Sequence, residues 1–352
     1  MGGAGSRMMG GSAASHFEVR RAPDGGYREV AIDAPPGRLG EREVALRPLL
    51  VGICGSDLAA HTEGRNVGCC FGHEWCGEVT AVGPAVEGLS VGDRATSGAF
   101  IGCGACAVCR SGASNLCPSA TVLGAYSLGA ARSWLVLPAP ELVRVPEFMD
   151  DSAILLEPAS IAVEVLRTWR RSGIRDREVL VVGAGAIGLL TALVLGDAGA
   201  RVTLLDRCRE RLAAGLEVGA EVVDAGDEAA LAALERAFPV LVDCAHGRDG
   251  GRGGLGYVPR LVRRGGLVIA VAKYPAGTTV AIDGLAGAGL TLSWLRGAPR
   301  SALAETAASW ARLLHHRHRW LVSDEFPVAR IDLAIGRALD AASSRKVVLR
   351  IG

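Results

Sequence analysis

Glu178–Asp206 reads EVLVVGAGAIGLLTALVLGDAGARVTLLD, and this stretch decides the fold. Its opening run, Glu178–Val182, is short, apolar and rich in valine, as expected of a strand buried on both faces. Gly183-Ala184-Gly185-Ala186-Ile187-Gly188 comes next, then a helical stretch to Ala198. A second run, Arg201–Leu205, ends in Asp206. Between a strand and a helix, the first glycine of G-x-G-x-x-G permits a tight turn. The second lets the backbone approach a pyrophosphate, and the third lets helix and strand pack closely. The helix N-terminus offers unpaired N–H groups and the positive end of its dipole to the phosphates. Gly183, Gly185, Ile187, Gly188 and Asp206 are therefore candidate dinucleotide-binding residues. A carboxylate at Asp206 accepts from the ribose hydroxyls and repels a 2′-phosphate, which favours NAD. Arg207 and Arg209 beside it keep NADP as the alternative.

Outward from this unit, strands and helices alternate. A helix is expected at Arg209–Val218, a strand at Glu221–Asp224, a helix at Glu228–Phe238 and a strand at Val240–Ala245. Beyond them a helix is expected near Leu255–Arg264 and a strand at Leu267–Val271. Such alternation means βαβ units and a doubly wound parallel sheet. Asp151–Arg171 has helical spacing, with Ile154, Leu155, Ile161, Val165, Leu166 and Trp169 as its buried stripe. Before it, from Phe17 to about Val145, short strands such as Val44–Arg47 and Glu78–Val82 alternate with turn signals, which reads as a mostly β domain. Ser301–His315 is expected to be helical. Lys346–Ile351 reads as a strand returning to the first domain. The expected division is a disordered tail over 1–16, a discontinuous β domain over 17–159 and 297–352, and a nucleotide domain over 160–296.

The chain has 352 residues, 49% hydrophobic and 21% charged, which is enough for two sizeable cores and excludes a disordered or collagen-like protein. Lys+Arg 38 against Asp+Glu 37 leaves +1, so no global attraction to nucleic acid or acidic membrane is implied. The apolar stretch Val179–Leu195 is broken by glycines and ends at Asp197, unlike a membrane span. The Gly/Ala/Ser-rich start lacks the apolar segment of a secretory signal, so a cytoplasmic location is expected.

Ten cysteines in a reducing compartment are not a disulfide framework. Cys103, Cys106, Cys109 and Cys117 fall within fifteen residues, a density that points to metal. Four thiolates complete a zinc tetrahedron and leave no open position, so this ion is expected to be structural. An iron–sulfur cluster and unliganded core thiols are the alternatives.

A further ordered series runs Gly52-Ile53-Cys54-Gly55-Ser56-Asp57, Gly72-His73-Glu74 and Leu156-Glu157-Pro158. With the four-cysteine lobe, the nucleotide motif, Val91-Gly92-Asp93-Arg94 and Lys346-Val347-Val348-Leu349, it resembles the zinc-dependent medium-chain alcohol and polyol dehydrogenases. Glu157-Pro158 is similar to the sorbitol/threonine dehydrogenase branch. His73-Glu74-Trp75 resembles the aminocyclitol dehydrogenases of antibiotic biosynthesis. The resemblance implies a GroES-like catalytic domain beside the Rossmann domain, and a homodimer or homotetramer. It implies a catalytic Zn²⁺ on Cys54, His73 and Glu157, with Glu74 adjacent and able to exchange onto it, and one structural Zn²⁺. Ser56 would take the substrate proton, and Arg211 would line the adenosine pocket. The reaction implied is oxidation of a secondary alcohol on a polyol, sugar or aminocyclitol, with hydride passing to the nicotinamide. A threonine-type amino-alcohol or simple alcohol dehydrogenase is the alternative within the class. A catalytically inactive nucleotide-binding sensor or scaffold is the alternative outside it.

Two positions depart from the family pattern. Ala59 stands where relatives carry a relay histidine, with His61 nearby but out of register. Glu164 stands where polyol dehydrogenases often carry a histidine, suggesting a site of altered polarity, against a solvated helix carboxylate. His315, His316 and His318 read as a solvated helix end, and Cys69, Cys70 and Cys76 as packing residues.

Overall fold

The computed structural model describes residues 16–125, 128–245, 253–274, 277–279, 287–340 and 342–351. The expected tail therefore lies outside the described residues, apart from His16.

The nucleotide half holds six parallel strands in the order Glu221–Asp224, Arg201–Asp206, Glu178–Val182, Phe238–Asp243, Val262–Ala270, Thr291–Trp294. This is a doubly wound Rossmann order, with its switch point between Glu178–Val182 and Phe238–Asp243. Alternation along the strands feeds two cores. Val179, Val181, Leu204, Val242 and Ile269 enter one, and Leu180, Val182, Leu205, Leu241 and Val268 the other. Burial on both faces explains the unbroken apolar runs.

Two glycines of the motif are fixed by geometry. Gly183 takes φ +98°, a region costly for residues with a Cβ. A Cβ on Gly188 would lie 1.7 Å from the Gly183 carbonyl oxygen.

Three helix expectations shift at their ends. The helix after Asp227 closes at Ala233, and Arg236 takes a positive φ before the strand opens at Phe238. Near Leu255 there is a 3₁₀ turn and one α turn, and the strand already begins at Val262, where it pairs with Phe238. The Ser301–His315 expectation becomes Arg300–Glu305, a π turn at Thr306–Trp310 and a helix running on to Leu321. Thr306 Oγ1 bonds the Ala302 carbonyl at 2.8 Å just where the pattern widens.

The other half is built on a mixed sheet ordered Val322–Pro327, Lys346–Arg350, Glu43–Gly52, Glu74–Val82, Arg94–Ser97, Leu142–Arg144. Leu135–Pro138 also pairs with Glu43–Gly52. The C-terminal strand thus lies against the first domain, with Val348 opposite Gly52. The helices over 300–321 behave differently from that strand: Leu303, Trp310 and Leu314 share a core with Val181 and Leu190. The Leu156–Ser172 helix bridges both halves.

A second connection pins the exit from the nucleotide sheet. Asn115 Nδ2 donates to the Arg296 carbonyl at 2.9 Å, and Arg296 donates back to the Asn115 carbonyl. The Arg296 guanidinium lies 4.2 Å over the Phe100 ring. Arg300 reaches the Leu142 carbonyl at 2.8 Å.

Gly188→Ala places a methyl against fixed backbone, and such overpacking costs on the order of 3 kcal/mol. Calorimetry is expected to show a lowered Tm, together with loss of dinucleotide binding.

Candidate active site

The first chain segment to reach the site is the end of the Glu43–Gly52 strand. Cys54 lies just beyond it and caps the Gly55–Thr62 helix. Asp57 accepts the Cys54 backbone N–H through Oδ2 at 2.9 Å, and its Oδ1 lies 3.4 Å from His73 Nδ1. This buried carboxylate holds the imidazole so that the other ring nitrogen is left for a metal, the usual outer-shell arrangement. His73 precedes the Glu74–Val82 strand, whose first residue is Glu74. Cys54 Sγ, a His73 ring nitrogen and a Glu74 carboxylate oxygen all lie within 4.8 Å of one another.

Glu74 is almost fully buried and paired with a buried lysine from the C-terminal strand: Lys346 Nζ stands 2.5 Å from Oε2 and also donates to the Ile53 carbonyl at 3.2 Å. A Cβ on Gly52 would lie 2.5 Å from the same Oε2, so only glycine leaves room for the carboxylate. Burial opposes charge on Lys346, but the Glu74 and Cys54 charges outweigh it and raise its pKa. Burial likewise opposes a charged His73, while Asp57 and Cys54 hold its pKa well above the ordinary value.

Glu157 stands on the first turn of the Leu156–Ser172 helix, outside the group that Cys54, His73 and Glu74 form. Burial, and then the Glu74 charge, push its carboxyl up to about 7, while the Ala99 backbone N–H bonds it and pulls the other way. Glu157, expected on the metal, and Glu74, expected beside it and able to exchange onto it, thus lie at the same site, with Glu74 within 4.8 Å of both Cys54 and His73. Glu74 is among the converging donors, and Glu157 is the neighbour. The trio supplies one thiol, one imidazole and one carboxylate, a set suited to zinc with one position left over.

Ser56, in the first turn of the Gly55–Thr62 helix, is half-buried, and its hydroxyl makes no hydrogen bond among the described residues. His61 turns away and stacks on Tyr27 with ring centroids 6.0 Å apart. Glu164 is buried rather than solvated, 2.7 Å from Arg171 and 3.6 Å from Arg167. His315 Nδ1 meets Ser152 Oγ at 3.1 Å, and the histidines over 315–318 form no metal-binding group among the described residues. Cys70 and Cys76 are buried, and burial pushes both thiols up to about 12; Cys69 is half-buried.

Cys103, Cys106, Cys109 and Cys117 converge, with Sγ atoms 3.9 Å apart for Cys103–Cys109 and 3.8 Å for Cys106–Cys117. A tetrahedron with Zn–S arms of about 2.3 Å has edges of about 3.8 Å. Two edges match that length, and all four Sγ atoms lie within 4.8 Å of one another. Gly104 and Gly112 make the turns at φ +71° and +83°. Backbone N–H groups of Ala105 and Cys106 lower the Cys103 thiol to about 6. Glu141 braces the lobe: Oε1 accepts the Gly102 N–H at 3.1 Å, and Oε2 accepts Ser114 Oγ–H at 2.9 Å.

At the nucleotide loop, Gly185 caps the Ala186–Asp197 helix, which carries Ile187 in its first turn. The space above Gly185 is open except for Arg211, whose Nη1 lies 3.8 Å from the position of an added Cβ. Asp206 Oδ2 accepts the Ala184 N–H at 2.6 Å and Oδ1 the Cys208 N–H at 2.9 Å, so the carboxylate sits against the glycine loop. Arg209 is taken up by Asp224 at 2.9 Å, leaving Arg207 as the arginine beside Asp206.

Four contributors escape sequence reasoning. Asp57 and Lys346 lie inside quoted motifs, but their partners are distant in the chain. Glu141 carries no signal. Asp243, fully buried at the end of Phe238–Asp243, accepts the Ala245 and Gly254 N–H groups at 3.0 and 3.1 Å and the Tyr274 hydroxyl, clasping the loops beside the switch point.

Comparison with known proteins agrees with this fold. The alcohol dehydrogenase GroES-like domain model matches residues 40–147, and a ketopantoate reductase PanE/ApbA model matches 179–239, a span that opens on the first nucleotide strand and its glycine loop. L-threonine 3-dehydrogenase from Shewanella frigidimarina is 34% identical over 197 residues, 54% of this chain. The match spans 57% of that relative's length. A putative zinc-binding dehydrogenase from Sinorhizobium meliloti 1021 bound to NADP superposes with TM-score 0.79 at 26% identity, covering 95% of this chain and 99% of that one. A protein described as a short chain alcohol dehydrogenase from Escherichia coli CFT073, complexed with NADH, gives TM-score 0.83 at 25% identity, over 96% of this chain and 99% of its own. The fold and both donor sets define a Rossmann and GroES-like two-domain protein. Residues 40–147 match the alcohol dehydrogenase GroES-like domain model, and the whole described chain shares its fold with these solved dehydrogenases. No helix among the described residues is long and apolar enough to cross a membrane.

The buried charges and the thiols have measurable consequences. Burial raises Asp243 to about 6 from 3.8, so the folded chain binds a proton there more tightly than the unfolded chain. Folding stability from this group therefore falls as pH rises from about 4 to about 6, by on the order of 2–3 kcal/mol. Denaturant titrations across that range should show a flatter slope for Asp243→Asn. Separately, Cys106→Ser should lose one metal equivalent by elemental analysis and lower Tm, because a structural metal contributes folding energy. Cys54→Ser should lose the other equivalent with little change in Tm.

Proposed function

We propose that this chain is a zinc-dependent, NAD(P)-linked dehydrogenase that oxidises a secondary alcohol of a polyol, sugar or aminocyclitol to a ketone. The observation that carries the reading is the convergence of Cys54, His73 and Glu74 in a molecule that also presents a dinucleotide loop. Zn²⁺ held by that trio supplies Lewis acidity toward an alcohol oxygen. Asp57 keeps the His73 ring oriented, and Lys346 balances the Glu74 charge. The unpartnered Ser56 hydroxyl is the group placed to accept the substrate proton, with Ala59 offering no onward relay, so the proton leaves through water or the ribose. Gly183, Gly185, Ile187 and Gly188 hold the pyrophosphate against the helix N-terminus, and Arg207 and Arg211 flank the adenosine side. Glu157 borders the same site.

The Asp206 carboxylate and the engagement of Arg209 by Asp224 support NAD over NADP. The aminocyclitol end of the substrate range, and with it a place in antibiotic biosynthesis, rests on the His73-Glu74-Trp75 resemblance. The threonine dehydrogenase relatives favour a second reading, an amino-alcohol substrate. Two copies meeting at the exposed edge strand Thr291–Trp294, where Leu292 and Trp294 face solvent, would give the expected homodimer or homotetramer. Ten free cysteines, four of them set for metal, suit the reducing cytoplasm.

Purified protein is to be mixed with NAD or NADP and a panel of polyols, sugars, aminocyclitols including 2-deoxy-scyllo-inosamine, threonine and simple alcohols, with and without a zinc chelator. Chelator-sensitive growth of reduced-nicotinamide absorbance on a polyol, sugar or aminocyclitol is the expected result. Turnover confined to threonine would replace this reading by the second. Silence across the panel, with metal and cofactor bound, would favour a nucleotide-binding sensor. Cys54→Ser should reduce turnover by at least about 10³-fold, the loss expected when a residue essential to the chemistry is removed.

A further inference from the structure

At the opposite end of the nucleotide domain from the glycine loop is a cavity of about 340 Å³, lined by Leu166, Trp169, Ile174, Arg170, Arg175 and Arg177 with three small residues. It lies between the C-terminal turn of Leu156–Ser172, the loop leading into Glu178–Val182, and the C-terminal end of Ala186–Asp197. Its volume falls in the range of small-molecule sites.

Two observations set it apart from an ordinary surface hollow. Among the described residues, none of the three guanidiniums has an ion-pair or hydrogen-bond partner, although the neighbouring charges are paired: Arg171 with Glu164, Arg201 with Glu178, and Arg263 with Asp176. Three like charges around one hollow repel one another unless an anion lies between them. The second observation is Trp169, which lines the cavity, is only 7% exposed, and has a buried Nε1 with no hydrogen-bond partner. A buried indole N–H ordinarily finds an acceptor. Helix C-termini attract arginines, but they account for neither the indole nor the hollow.

We propose that this cavity is a second ligand site, separate from the dinucleotide site, for a small phosphate-bearing metabolite. Guanidinium forks match phosphate oxygens in geometry and charge. Arg170, Arg175 and Arg177 hold the phosphate, Trp169 Nε1 donates to one of its oxygens or to an adjoining hydroxyl, and Leu166 and Ile174 cover the uncharged body. Neither the catalytic donors nor the glycine loop takes part.

The test is calorimetric titration of the metal-loaded protein with inorganic phosphate, inorganic pyrophosphate and glucose 6-phosphate. Saturating NADH is present throughout, so that the dinucleotide site is filled, and sodium sulfate at matched ionic strength is the control. Expected is binding of at least one phosphate compound that survives NADH and weakens at least tenfold in Arg175→Ala/Arg177→Ala. Trp169→Phe, which keeps the packing and removes the N–H, should weaken it severalfold and abolish any ligand-induced change in tryptophan fluorescence. Thermal melts of both variants check that they remain folded. Preference for glucose 6-phosphate over the inorganic anions would identify a sugar phosphate, and the reverse a free phosphate. No binding under NADH, binding matched by sulfate, or binding unchanged in the arginine variant would each overturn the proposal.

Discussion

The buried pair between Glu74 and Lys346 is the contact on which the arrangement of the catalytic half depends. The two residues are 272 positions apart, each almost wholly excluded from solvent, and they join the strand that opens at the candidate metal site to the last strand of the chain. Removing one partner of such a pair leaves an uncompensated buried charge, a loss of about 3–5 kcal/mol. The neighbouring structure is shaped to it: Gly52 gives up its side chain to admit the Glu74 carboxylate, and the Ile53 carbonyl takes a second proton of the ammonium.

The two cysteine-bearing sites have different designs. The Cys103–Cys117 lobe gathers its donors from one short segment, where glycine turns suffice and four thiols close the shell. The Cys54, His73 and Glu74 site draws on separate segments and needs support from Asp57 and Lys346 to hold its geometry. The lobe is also mechanically joined to the nucleotide half, since Asn115, between Cys109 and Cys117, grips Arg296 at the exit of the sheet.

Local periodicity and glycine spacing make much of the fold legible. The six-strand order agrees with the alternation after Glu178, and the thiol lobe with cysteine density. Where reading along the chain falls short, distant partners are the cause. Glu164 looks like a solvated helix carboxylate or a pocket group, and only packing reveals Arg171 and Arg167 around it. Glu157 and Glu74 are equally good ligands on paper, and their relative placement is set by a strand register and a helix start that no short motif encodes. Helix ends near Ala233 and Val262 shift because strand pairing overrides local propensity.

Cys54, His73 and Glu74 are proposed to form an open metal site distinct from the closed four-thiol one. A crystal structure of the zinc-loaded protein with bound NAD, using anomalous scattering at the zinc edge, tests it most directly. Two anomalous peaks per chain are predicted, one surrounded by four sulfur atoms and one on Cys54, His73 and Glu74. A single peak confined to Cys103, Cys106, Cys109 and Cys117 would contradict the account, as would a second peak held by Glu157 in place of Glu74.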